Sequence, residues 1–228
     1  MMDCFVKDTC NKYKKDTSCD SQDFCIKLFK LEELYKLSLL SDNQRNRVKL
    51  ILDSDLCDQQ AFDNLHQIEV DIVNFVNDGK NLFIFSTNVG NGKTSWAIRM
   101  IQSYLNKVWP ESDIKCRCLF INVPRFLLTL KDSIGVGSEY VDFIKQNIFD
   151  ADLVVWDELG VKSLTTYEHE NLLNLINTRL DKNKSNIYTS NLFGEELQSK
   201  IGERLYSRVI NMSTNIQLFG KDKRGLVI

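Results

Sequence analysis

The 228-residue sequence has no apolar run approaching the ~20 residues that a bilayer span requires, which argues against a helical membrane protein. Its opening residues, Met1-Met2-Asp3-Cys4, lack the charged-then-apolar order of a signal peptide, so the expected setting is the cytoplasm, with no membrane partner. There is no excess of charge of either sign. Lys and Arg number 29 against 31 Asp and Glu, a net charge of -2, so nucleic acid is not attracted globally and would have to be met by local patches. Internal repeats and low-complexity tracts are absent. The seven cysteines are odd in number, which in a reducing compartment argues against a disulfide framework. The two histidines, His66 and His169, have no cysteine or histidine at ligand spacing and are expected on helix surfaces or in packing. What is present is 43% apolar and 26% charged, the balance of an ordinary folded domain, with length enough for one α/β domain and a short N-terminal addition.

Apolar periodicity predicts one or two short helices between Phe24 and Leu40, then a helix from Asp58 to Val76 that Asp78-Gly79 terminates. Strands and helices alternate from there. Leu82–Phe85, Cys118–Val123, Leu153–Trp156, Asn186–Thr189 and Asn215–Phe219 read as strands. Ser95–Val108, Phe126–Asp132, Tyr140–Phe149, Tyr167–Leu180 and Glu195–Ile210 read as helices. Such alternation implies a parallel sheet covered by helices on both faces, with Trp96, Trp109 and Trp156 in the core.

Between the first strand and its helix lies Ser86-Thr87-Asn88-Val89-Gly90-Asn91-Gly92-Lys93-Thr94-Ser95. A strand that delivers the chain to a glycine-containing turn and then to a helix N-terminus aims backbone N–H groups at one point, where an anionic phosphate chain can sit. Gly90 and Gly92 allow the turn and the close approach, Lys93 is placed to reach the terminal phosphates, and the Thr94 hydroxyl to hold Mg2+. The pattern GxxxxGK[ST] has a glycine where this chain has Thr87; that residue begins the turn, so a negative φ can serve there. The stretch predicts a site for a nucleoside triphosphate.

Leu153-Val154-Val155-Trp156-Asp157-Glu158 is an apolar run ending in two carboxylates, 63 residues beyond Thr94. Asp157 is expected to contact Mg2+ through water, and Glu158 to orient and deprotonate the attacking water. A phosphoryl-transferring kinase would not need that second carboxylate, so the pair points to ATP hydrolysis. A further strand ends in Thr189-Ser190-Asn191, where a polar side chain can hold the water or sense the terminal phosphate. Gly202-Glu203-Arg204-Leu205-Tyr206-Ser207-Arg208 sets two arginines four apart on one helical face, either an ordinary surface pair or a group that reaches a neighbouring subunit's phosphates. Arg224 is a further candidate to touch the phosphates. Cys4, Cys10, Cys19 and Cys25 crowd the first 25 residues at C-x5-C spacing, without the C-x2-4-C knuckle usual for structural zinc; they either close a Zn2+ site by looping or are reduced and unpaired.

In this order the phosphate loop, Asp157-Glu158, Thr189-Ser190-Asn191 and Gly202-Glu203-Arg204 with Ser207-Arg208 resemble the AAA+ ATPases of the DnaC/DnaI helicase-loader group, especially the short DnaC-like replication proteins of phages and mobile elements. The resemblance covers residues 50–228 as an ATPase domain and leaves 1–49 as a Cys-rich, helical N-terminal segment. It implies an AAA+ P-loop core with a parallel five-stranded sheet, in which the Asn191 strand lies between the phosphate-loop strand and the Asp157 strand. It also implies that Asn191 is sensor 1, Arg204 the arginine finger with Arg208 second, and Arg224 a sensor-2-like contact. Only nine residues follow Phe219, too few for a full C-terminal lid domain, which loaders of this group typically lack. Such loaders grip a replicative helicase of the DnaB kind through the N-terminal segment, where several carry cysteine-bound zinc. They act as homo-oligomers and contact single-stranded DNA from the helical insert after the second strand, here near Arg125, Lys131 and Lys145. The implied function is ATP-dependent helicase loading in DNA replication. Two alternatives stand beside it: an IstB-type transposition helper ATPase, which shares this core, and a nucleotide-gated adaptor with little turnover, suggested by Thr87.

Overall fold

The computed structural model describes residues 22–46, 48, 50–51 and 57–223. Helices α1 (Gln22–Leu37), α2 (Asp42–Asn46), α3 (Gln59–Val70) and α4 (Ile72–Asn77) precede β1 (Asn81–Phe85). Then follow α5 (Lys93–Val108), β2 (Cys118–Asn122), α6 (Val123–Asp132), α7 (Glu139–Asn147) and β3 (Leu153–Asp157). The chain continues through α8 (Thr166–Asp181), β4 (Ser185–Ser190), α9 (Gly194–Ile201), α10 (Glu203–Asn211) and β5 (Thr214–Gln217). All strand pairs are parallel, and the order is β2-β3-β4-β1-β5, which puts β4 between the strand that feeds the phosphate loop and the strand that ends in Asp157.

Strands β1, β3 and β4 are buried along their whole length because both faces of the sheet are covered. One face packs Leu82, Ile84, Phe120, Val155 and Ile187 against α1, α3, α4 and α5. The other packs Phe83, Leu119, Ile121, Val154 and Trp156 against α6 to α10. Helix α1 contributes Leu31, Leu34 and Tyr35 to the first of these cores, and the carbonyl of Ser38 just beyond it accepts from Phe120 N of β2 at 2.9 Å. The described chain after β5 runs from Leu218 to Lys223 and contains no helical lid.

Several boundaries differ from the periodicity reading. The expected helix over Asp58–Val76 breaks at Asp71, whose φ of -104° and ψ of 24° end α3 before α4 starts. The expected helix over Glu195–Ile210 breaks at Gly202, whose φ of 83° and ψ of 153° are open to glycine and almost nothing else. Val123 leaves the second strand for α6 because Asn122 caps that helix, its side chain accepting from Arg125 N at 3.1 Å, and Pro124 fits the first turn. The last strand spans Thr214–Gln217, not Asn215–Phe219: the N–H of Phe219 is bound by the Asp58 carboxylate. Trp96 and Trp156 are buried, whereas Trp109 packs at the edge of the core with Lys27 over its ring. His66 is exposed and meets Glu69; His169 lies beside Gly202.

Candidate nucleotide site

Every strand tip that carries chemistry ends on one edge of the sheet, as parallel α/β topology requires. At the tip of β1 the chain turns through Ser86, whose hydroxyl accepts from Asn88 N at 3.0 Å and from Asn91 Nδ2 at 2.6 Å. Gly90 and Gly92 take φ of 69° and 107°, and Thr87 is not among the positive-φ residues, so its missing glycine costs the loop nothing in backbone strain. Thr87, Asn88 and Val89 are exposed; Asn91 and Lys93 are buried, and Ser95 is half-buried in the first turn of α5. The Lys93 ammonium donates to Asn88 O at 2.8 Å and Asn91 Oδ1 at 3.1 Å, so it is folded back over the loop that precedes it.

The first turn of α5 meets the tip of β3 through Thr94, whose hydroxyl donates to Asp157 Oδ1 at 2.8 Å. Asp157 is buried, and burial raises its carboxyl above the ordinary carboxylate range, although the Thr189 and Thr94 hydroxyls pull the other way. The next residue, Glu158, is exposed and holds a left-handed backbone at φ 63°. Its Oε2 accepts from Asn122 Nδ2 at 2.9 Å, which brings in the tip of β2. The tip of β4 supplies Thr189, whose hydroxyl donates to Asp157 Oδ1 at 2.7 Å and accepts from Glu158 N at 3.0 Å. The Thr94 hydroxyl and the Asp157 carboxylate are hard oxygen donors in contact with one another, a set that fits Mg2+.

Asn191 follows β4 on the same edge and is half-buried. Arg204 and Arg208 are both exposed on α10, opposite its buried face of Leu205, Val209 and Ile210. They stand apart from the phosphate loop's hydrogen bonds, on a face that a neighbouring molecule can reach. Arg224 lies outside the described residues, as do Cys4, Cys10 and Cys19; Cys25 is half-buried in α1. Among the described residues no group of three or more metal-ligating side chains forms. Arg125, Lys131 and Lys145 are exposed on α6 and α7, with the Arg125 guanidinium 4.8 Å from the centre of the Tyr140 ring.

A scan against protein families matches residues 28–212 to the family described as IstB-like ATP binding protein. The chain belongs to the IstB-like ATP-binding family. A search of curated proteins found no match. Solved structures share the fold. The DnaC helicase loader superposes with a TM-score of 0.60 at 18% identity, covering 78% of this chain and 100% of that one. DnaI gives 0.55 at 20% identity over 83% and 93% of the two chains. Domain III of the Thermotoga maritima replication initiation protein DnaA gives 0.58 at 21%, over 76% and 70%. The matched residues thus span β1 to β4 and the strand tips that carry the site.

Three groups at this site left little trace in the sequence. Asn122 and Thr189 bind the two carboxylates, yet Asn122 reads locally as a polar residue at the end of an apolar run, and Thr189 only as part of the polar Thr189-Ser190-Asn191 strand tip. The third is the segment after β5. Asn88 Nδ2 donates to Phe219 O at 2.8 Å, Lys223 N donates to Gly90 O at 3.0 Å, and the Asp222 carboxylate lies where a Cβ at Gly90 would be.

Proposed function

We propose that this protein hydrolyses ATP as an AAA+ protein and uses the cycle to load a replicative helicase during DNA replication. For hydrolysis the carrying observation is the Thr94–Asp157 contact at 2.8 Å with Glu158 next in the chain. The loop's N–H groups and Lys93 would hold the phosphates, and Thr94 with Asp157 the Mg2+ that neutralises them. Glu158 would take a proton from the attacking water, and Asn191 would hold that water or the terminal phosphate. Arg204, with Arg208 second, would complete the site from a second copy of the chain, and Arg224 would add a contact to the phosphates. The loading role is supported by the shared fold with the DnaC helicase loader across that whole chain. In this reading residues 1–49 grip the helicase in the cytoplasm, with or without zinc on Cys4, Cys10, Cys19 and Cys25. Single-stranded DNA would meet Arg125, Lys131 and Lys145; a solved DnaA bound to single-stranded DNA is among the similar folds.

Membership of the IstB-like ATP-binding family supports a second reading, in which an IstB-type ATPase assists a transposase. Affinity capture from the host separates the two. A replicative helicase as the specific partner supports loading, and a transposase in its place overturns it. Lys93→Ala is expected to abolish nucleotide binding. Glu158→Gln is expected to keep binding and lower steady phosphate release by roughly 10²–10⁴-fold, the contribution of a general base. Release that continues unchanged would remove Glu158 from the chemistry, and wild-type protein that binds ATP without release would make the chain a nucleotide-gated adaptor.

A further inference from the structure

Glu158 is exposed, and its backbone sits in the left-handed region that non-glycine residues avoid. Something must hold it there. Four hydrogen bonds tie the Asp157–Leu159 corner to the tip of β4, and all of them engage Thr189 or Ser190. Thr189 Oγ1 donates to Asp157 Oδ1 at 2.7 Å and accepts from Glu158 N at 3.0 Å. Leu159 N donates to Thr189 O at 2.8 Å, and Ser190 Oγ donates to Leu159 O at 2.6 Å. The Thr189 side chain is itself buried, so water does not compete for these bonds.

The structure assigns Thr189 as a positioning residue that sets both carboxylates at once: its one proton orients Asp157, and its lone pair fixes the backbone from which Glu158 projects. This rests on the reading of Asp157 as the Mg2+ contact and Glu158 as the base. The geometry of one oxygen explains why threonine suits the position. A hydroxyl donates and accepts simultaneously, so a single atom serves an acceptor-only carboxylate and a donor-only amide. Thr94 donates to the same Oδ1 at 2.8 Å, so two hydroxyls, one from the first turn of α5 and one from the tip of β4, converge on one carboxylate oxygen and set the rotation of the group. Asn191 lies two residues beyond Thr189 on the same strand tip. A displacement of that tip would therefore reach Glu158 through Thr189 without passing through the loop of β1.

Thr189→Val keeps shape and removes the hydroxyl; Thr189→Ser keeps the hydroxyl and removes a methyl. Three quantities are measured on the full chain: ATP turnover, the Mg2+ concentration that half-saturates it, and ATP-analogue affinity in EDTA. Thr189→Val is expected to lower turnover by ~10–100-fold, the usual effect of losing an outer-shell partner, and to raise the half-saturating Mg2+. Affinity in EDTA should stay unchanged, and Thr189→Ser should restore both turnover and Mg2+ dependence. A merely structural role would not move Mg2+ dependence while sparing metal-free affinity. Wild-type turnover and Mg2+ dependence in Thr189→Val would overturn the assignment, as would a serine variant as defective as the valine one. If Thr189→Val does not fold, Thr189→Ala carries the same test, and failure of both to fold would assign the hydroxyl to the fold and overturn the positioning role. Wild-type protein that neither binds nor hydrolyses ATP overturns the nucleotide reading along with this one, whereas turnover indifferent to Thr189 overturns only this one.

Discussion

At the scale of single residues, Asp157 shows how a site costs its fold stability. Burial raises its carboxyl, so between the ordinary value and the raised one the native state binds more protons than the unfolded chain. Stability from this group therefore falls as pH rises through that window and stays lower at neutral pH. Asp157→Asn keeps an oxygen to accept from Thr94 and Thr189 while removing the buried charge. It should raise the melting temperature at pH 7 in the absence of Mg2+, with about 2–4 °C expected for each kcal/mol recovered in a domain of this size, and should remove Mg2+-dependent turnover. The gain should shrink as pH is lowered through the carboxylate range. A variant that melts at or below the wild-type temperature at pH 7 would show that the two hydroxyls already offset the burial.

At the scale of elements, the end of the sheet opposite the site is tied together by a buried cation. Arg179, in the last turn of α8, is 0% exposed, and burial lowers its guanidinium to about 10. It donates to Ala151 O at 2.8 Å, Ser185 O at 2.6 Å and Asn186 Oδ1 at 2.8 Å, and also to Ile148 O. One side chain thereby joins the end of α7, the entry to β3 and the start of β4, the two strands whose far tips carry Asp157 and Thr189. Arg179→Leu would strand several buried acceptors at about 1–3 kcal/mol each, so a loss of at least about 3 kcal/mol in urea-unfolding free energy is expected. Nothing in the local pattern distinguishes Arg179 from a solvated charge at a helix C-terminus. The helix break at Asp71 was equally hidden, because apolar spacing continues across it while the backbone turns, whereas Gly202 was the one local sign of the second break. By contrast, every strand lay within about two residues of its expected place, and β1, β2 and β3 are the most legible, since a strand buried on both faces reads as an unbroken apolar run.

At the scale of the whole molecule, residues far apart in sequence close around the phosphate loop. Asp58, ahead of α3, accepts from Phe219 N at 2.6 Å and Gly220 N at 2.9 Å, and the Lys223 ammonium stands 3.9 Å from it. The segment so anchored crosses the loop, where Asn88 and Asn91 donate to its carbonyls. Asp58→Ala should lower stability by about 2 kcal/mol through the unpaired N–H groups. It should also change nucleotide affinity, measured by titration with a fluorescent ATP analogue, because the segment's contacts with Asn88, Gly90 and Asn91 loosen. Stability lost with unchanged affinity would make the anchor a matter of folding alone.

The sequence by itself determined the alternation of strands and helices, the phosphate loop and the carboxylate pair, because each is written in neighbouring residues: an apolar run, a glycine turn, a lysine at a helix start. Tertiary structure alone decided which side chains hold those groups in register. Thr189 meets Asp157 across 32 positions, Asn122 meets Glu158 across 36, and Asp58 meets Phe219 across 161. A polar residue at a strand tip carries no local sign of its partner, because the partner is brought to it only when the parallel sheet closes.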